Sequence, residues 1–332
     1  MTDARGRARL GPIDQAVDAE ADPEADPDGE LDQVTPATPR RPLRTPGRRL
    51  RPVLGFLSIL GAILILWEGL KLLGGDRLVV DGIGGLPIHL DHRPPFHWKI
   101  ANDLSLPHLW TVLLAFFELD SVGNPLALRL VWAALATIRG ALVGFALGAS
   151  VGLILAIVLI QVRLLERSML PLLVASQTVP IVAIAPVIVV GLKAGWLGIA
   201  IVAGYLTFFP VTIAAIRGMR SADPRAFELL RSVAASNRDV LLRLRLPAAA
   251  PFLFTAFKIA ATASVVGAIV GELPSGTRDG LGGAILNAMQ YYSIQPGRLW
   301  ATIIVASLVG MGSFVIVAVA ERQALRNYRP TA

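Results

Sequence analysis

ADPRAFELLRSVAASNRDVLLRLRLPAAAP, residues Ala222–Pro251, is a polar, arginine-rich stretch enclosed between long apolar runs. It is too charged to lie in hydrocarbon and too regular to be a slack loop. Asp223 suits a helix N-cap and Pro224 the first helical position. Phe227, Leu230, Val233 and Ala234 recur on one helical face. Beyond Ser236 and Asn237, a second helical stretch is expected from Arg238 to Leu246, stopped by Pro247. A helix pair of this kind, exposed beside apolar spans, is shaped to dock a partner.

The flanks set the class. Of 332 residues, 54% are hydrophobic and 17% charged, and mean hydropathy is +0.61. That profile belongs to a polytopic membrane protein. Apolar runs long enough to cross roughly 30 Å of hydrocarbon fall near 53–73, 134–160, 171–192, 197–216, 254–273 and 299–320. The expected fold is therefore all-α with about six transmembrane helices. No cysteine is present, which excludes disulfides and thiolate metal sites. The first apolar run begins too late for a cleaved leader.

Lysine and arginine set the expected orientation. Arg40, Arg41, Arg44, Arg48, Arg49 and Arg51 precede the first span, and Arg163 and Arg167 follow the second. Arg217, Arg220 and the arginines of 222–251 follow the fourth, and Arg322, Arg326 and Arg329 the sixth. The alternate segments are sparser in positive charge, so both termini and the 222–251 segment are expected in the cytoplasm. The net charge of +7 is thus an orientation signal, and no nucleic-acid partner is expected.

Three regions follow. Residues 1–52 form an acidic, then arginine-rich tail with too little apolar surface to order itself. Residues 53–133 hold the first span and an outside segment whose stretch from Leu106 to Leu119 should lie along the interface. Residues 134–325 form the core.

Gly140, Gly144, Gly148 and Gly152 line one face of the second span, a pattern read as a close helix-packing seam. Gln177, Thr178, Pro180 and Pro186 bring polarity and helix breakers to the third. With Tyr205, Thr207 and Phe208 in the fourth, they are the candidate lining of a translocation route. Glu68 and Glu272 fall toward outer span ends and read as interfacial; Lys258 should snorkel to the inner surface. All four histidines, His89, His92, His97 and His108, sit in the outside segment at no metal-ligand spacing, so no metal is expected. No lysine follows a glycine in the nucleotide-cradling pattern, and no Ser/His or His/Asp cluster shares a depth within the spans. No catalytic residues are assigned.

At the 222–251 segment the chain resembles inner-membrane permeases of binding-protein-dependent ABC importers. Their cytoplasmic motif reads Glu-Ala-Ala, three residues, Gly, nine residues, then Ile-x-Leu-Pro. Here Glu228 takes the Glu position, Ala234 the Gly position, and Leu244-Arg245-Leu246-Pro247 the final four, at matching spacing. Leu229 and Leu230 replace the two alanines. A glycine there with positive φ would make Ala234 strained by about 1 kcal/mol unless Asn237 supplies the left-handed residue. Trp67-Glu68, Leu106-Pro107, Phe208-Phe209-Pro210, Glu272-Leu273 and Gly280-Leu281-Gly282 are similar to the nitrate/sulfonate/taurine subgroup. The resemblance implies the type I importer architecture and a homodimer of permease subunits in the cell membrane. It also implies an ATPase on separate subunits holding the ATP, a solute-binding protein outside, and no cofactor on this chain. It places coupling to the ATPase on Asp223, Phe227, Glu228, Leu230, Arg231, Ala234, Arg238, Leu246 and Pro247. The rival reading, a secondary transporter independent of any ATPase, calls for midplane coupling acids and an internal repeat, and the sequence has neither.

Overall fold

The computed structural model describes residues 50–83, 86–119, 123–192, 195–277 and 279–327, without the side chains of 50–53, 78–90 and 327. The tail 1–49, Lys193, Arg278 and Arg329 lie outside the described residues. By packing, the chain divides into residues 1–57 and 58–332. Of the first unit only the start of a helix is described; the second holds the remaining elements.

The described fold is helical apart from one hairpin. In order come α1 (Leu50–Gly74), β1 (Leu78–Ile83), β2 (Leu86–His92), α2 (Leu109–Ala115), α3 (Leu126–Gln161), α4 (Arg163–Ser176) and α5 (Ile181–Gly191). Then follow α6 (Trp196–Arg220), α7 (Pro224–Ser232), α8 (Asn237–Val240), α9 (Leu246–Glu272), α10 (Leu281–Gln290) and α11 (Pro296–Ala324). Five helices are long and apolar enough to span a bilayer, and a sixth span exists if α4 and α5 count as one. The protein is a multi-pass membrane protein. Five expected spans match single helices, with α3 starting at Leu126, before the expected 134.

The third span differs. α4 and α5 meet at 92°. Pro180 lacks a donor and drives Val179 out of helical conformation, so the helix cannot continue. The freed carbonyls at the end of α4 find new donors: Thr178 Oγ1 donates to Ala175 O at 2.7 Å, and the Tyr205 hydroxyl to Ser176 O. The element is a broken span or a re-entrant hairpin.

The core is α6 held between α3 and α9. Ala156, Leu159, Val211, Ala215, Met219 and Ala260 are fully or almost fully buried together. The glycine face of α3 sets the spacing. A Cβ on Gly144 would lie 2.4 Å from Ala203 Cβ, on Gly148 2.4 Å from Gly204 O, and on Gly152 2.5 Å from Phe208 O. Backbone meets backbone there, with no flexible side chain to move aside.

The segment between α1 and α3 is ordered by buried polar anchors. Lys71 is fully buried; its Nζ donates to Ala101 O at 2.8 Å and pairs with Asp103 at 2.5 Å. Trp67 Nε1 donates to Pro107 O at 3.0 Å. Glu68 is therefore no loose interfacial acid: His108 Nδ1 lies 2.6 Å from its Oε1, and the imidazole stacks on Trp110. The expected interfacial stretch forms α2, which packs on α11 and buries Val112 and Ala115, the latter clustered with Leu126 and Leu130 of α3 and Ala301 of α11.

Candidate functional site

Local capping builds the docking segment. Asp223 Oδ1 accepts from the Arg225 N–H at 2.9 Å and Pro224 opens α7. The helix ends at Ser232. Ala234 N–H donates to Arg231 O at 3.0 Å and Ala235 N–H to Leu230 O at 2.9 Å. That pair of bonds is the Schellman stop, which places its left-handed residue at Ala234. Ala234 has φ of 52°, and no other non-glycine among the described residues has positive φ. Asn237 does not take over the role; it is the first residue of α8. Ser236 caps α8, accepting from Asp239 N–H at 3.2 Å while its hydroxyl donates to Asp239 Oδ2 at 2.5 Å.

Pro247 does not end the second helix. Leu241–Arg245 form a π turn, in which Leu246 N–H reaches back to Leu241 O. Pro247 then sits at the start of α9, where its missing N–H is tolerated. Helical backbone runs from Asn237 to Glu272, so the second half of the 222–251 segment and a membrane span form one rod.

The faces of α7 also differ from expectation. Phe227 turns toward the body of the protein, with the Arg231 guanidinium 5.0 Å and the Arg245 guanidinium 5.7 Å from its ring centre. Leu230 is half-buried. The apolar groups facing outward are Leu229 and Val233, exposed by 66% and 67%. Behind α7, Glu166 pairs with Arg220 and ties the start of α4 to the end of α6. Glu228, Arg238 and Leu246 lie on the same segment, Leu246 half-buried.

The route candidates separate into two groups. Gln177, Thr178, Pro180 and Pro186 are exposed along the α4–α5 break, and Tyr205 joins them through its bond to Ser176, with Phe208 5.7 Å from its ring. Thr207 is not among them. It is fully buried, donates to Ala203 O at 2.9 Å, and packs against the glycine face of α3. Lys258 pairs with Glu321 at 2.7 Å near the C-terminal end of α11, half-buried between α9 and α11.

Sequence reasoning missed a polar knot at the far end of the rod. Glu272 is 3% exposed, not interfacial. Its Oε2 accepts from Thr137 Oγ1 at 3.0 Å and from Gly282 N–H at 2.7 Å, while Thr137 Oγ1 accepts from Leu281 N–H at 2.9 Å. Gly280 and Gly282 are required: a Cβ on either would lie within 2.6 Å of this pinned side chain. The paired glycines ten residues beyond a carboxylate were the available signal. Among the described residues no three His, Asp or Glu groups converge as a metal site.

Comparison with known proteins gives the same reading. The family model for the binding-protein-dependent transport system inner membrane component matches residues 148–326. The formylaminopyrimidine transport permease protein ThiX of Halalkalibacterium halodurans is 34% identical over 180 residues, 53% of this chain and 69% of its own. The riboflavin transport system permease protein RibX of Chloroflexus aurantiacus is 34% identical over 250 residues, 73% of this chain and 89% of its own. The nitrate import permease protein NrtB of Synechococcus elongatus is 20% identical over 239 residues, covering 72% and 77%. With its bent α4–α5 pair, its glycine-seamed bundle and the capped helix pair set into its apolar sequence, this chain belongs to the binding-protein-dependent ABC transporter permeases.

Proposed function

We propose that this permease forms half of a solute pathway driven by ATP hydrolysis on a separate subunit, and that the 222–251 segment receives the stroke. The observation that carries this is the single rod from Asn237 to Glu272. A push on α7 passes through the capped turn at 233–236 into α8, and from α8 along continuous helix to the outer end of a membrane span. Docking uses the outward face of α7, with Leu229 and Val233 entering an apolar cleft on the ATPase, because aromatic Phe227 is engaged within its own chain. Phe227, Leu230, Arg231 and Ala234 shape the helix pair; Asp223, Glu228, Arg238, Leu246 and Pro247 complete its ends and rim. ATP belongs to the partner, and this chain needs no cofactor. A second permease copy completes the pathway along Gln177, Thr178, Pro180, Pro186 and Tyr205. A solute-binding protein delivers from outside, and both termini face the cytoplasm. For the solute we favour a small aromatic heterocycle, because the two relatives at 34% identity are named for such compounds and the nitrate permease is at 20%.

Co-purification tests the docking face. Leu229→Asp with Val233→Asp should abolish recovery of the ATPase subunit with the tagged permease, at unchanged permease yield in the membrane. Undiminished recovery would contradict the assignment.

A further inference from the structure

A polar recess lies at the end of the bundle away from the 222–251 segment. α3 and α6 run parallel, since a Cβ on Gly140 would meet Ile199 and one on Gly152 would meet Phe208. Residues 222–251 follow the C-terminal end of α6, whereas the recess is where α3 begins, beside α10 and the start of α11. Arg129, Asn287, Tyr291 and Arg298 line it, with buried Leu130 and Ala288 in its wall. Its volume is about 20 Å³, room for one water-sized group.

Most of its donors lack an acceptor. Arg298 is answered: Nε donates to Glu118 Oε2 at 2.7 Å and Nη2 to Leu119 O at 3.1 Å. Arg129 is not. It is half-buried, and among the described residues its guanidinium has no hydrogen bond or ion pair. The Asn287 carboxamide and the Tyr291 hydroxyl are likewise without a hydrogen bond among the described residues. One positive charge is thus uncompensated there, beside an apolar wall where solvent screens it less than on open surface. A guanidinium, an NH₂ and an OH around so small a space suit one carboxylate. A phosphate is bulkier and brings more charge than Arg129 offers.

We propose that this recess receives the side-chain carboxylate of an Asp or Glu on the solute-binding protein. This rests on the transport reading, in which the ATPase meets the 222–251 segment and the binding protein arrives at the opposite face. A recess for a single group makes too few contacts to retain a small free acid against the cost of binding it. A side chain is brought there by the rest of its own interface. The α10 helix that carries Asn287 is also bonded, through the Gly282 N–H, to Glu272 at the end of the rod, so the anchor and the rod share one helix.

The test is capture of the solute-binding protein of the same transport system by the full chain, assembled with its ATPase subunits in lipid nanodiscs. Arg129→Gln and Asn287→Asp should each weaken capture at least about tenfold, with the ATPase subunit bound at unchanged yield. Equal capture by the wild-type chain and both variants overturns the anchor and leaves the transport reading standing. Failure of the wild-type chain to capture the binding protein removes both. Arg129→Glu should abolish capture, and an Asp→Lys or Glu→Lys variant of the binding protein should restore it. Loss that no such reversal restores would make Arg129 a residue of this chain's own fold and overturn the proposal. Titration of the wild-type chain with sodium formate should give no saturable binding. Saturable formate binding that Arg129→Gln removes, with capture of the binding protein intact, would assign the recess to a soluble carboxylate and overturn a protein partner.

Discussion

At Ala234 a methyl group occupies a position whose backbone favours hydrogen. The φ of 52° is imposed by the Schellman bonds to Arg231 and Leu230, which end α7. Left-handed backbone costs a non-glycine L-residue about 1–2 kcal/mol. Ala234→Gly should therefore stabilise the chain by about 1 kcal/mol, read as a raised thermal midpoint in detergent. A lowered midpoint would mean that the turn does not carry this strain. The residue was legible in the sequence because its motif position is ordinarily glycine. The strain itself was not, since Asn237 offered an equally plausible left-handed site until the backbone placed it inside α8.

The elements follow two rules of different reach. The spans, the glycine face of α3 and the caps of α7 obey local patterns, so they could be read from residue order alone. Where a partner from a distant part of the chain decides, the pattern misleads. Residue order named no partner for Lys258, which meets Glu321, and it assigned Glu272 to the interface before Thr137 and Gly282 were known to bind it. Pro247 misled for another reason: a π turn, which leaves no mark in composition, absorbs its missing donor.

Two tests address the elements. Gly148→Ala should cost about 1–3 kcal/mol, because its Cβ would press on the Gly204 carbonyl. Gly61→Ala, with nothing within 4 Å of the new Cβ, is the control and should be near neutral. Equal midpoints for the two variants would remove the seam. The β1–β2 hairpin gives a pH test. The Arg77 guanidinium bonds Asp91 at 2.8 and 2.7 Å and holds its carboxyl below the ordinary range. A carboxyl lowered on folding contributes stability above its unfolded pKa, about 3.9, and loses it as pH falls through the lower folded value. Hydrogen exchange at 78–92 should stay slow from neutral pH down to about 4 and quicken, relative to the intrinsic rate, only below. Quickening that begins near pH 6 would point to another group.

The whole molecule couples a polar segment at one end to a polar knot at the other. The rod from Asn237 carries α7 and α8 at its start and Glu272 at its finish, where Thr137 of α3 and Gly282 of α10 are bound. The packing of α6 against both α3 and α9 resists independent sliding of the three helices. Such a body would respond to force at one end as a unit, and the proposed source of that force is a separate ATPase subunit. Reconstitution into vesicles tests this. With the ATPase subunit, ATP and the solute-loaded binding protein, the chain should accumulate solute; without the ATPase or with ATP withheld, uptake should fall to the leak of empty vesicles. Accumulation by the chain alone, driven by an ion gradient, would contradict the account.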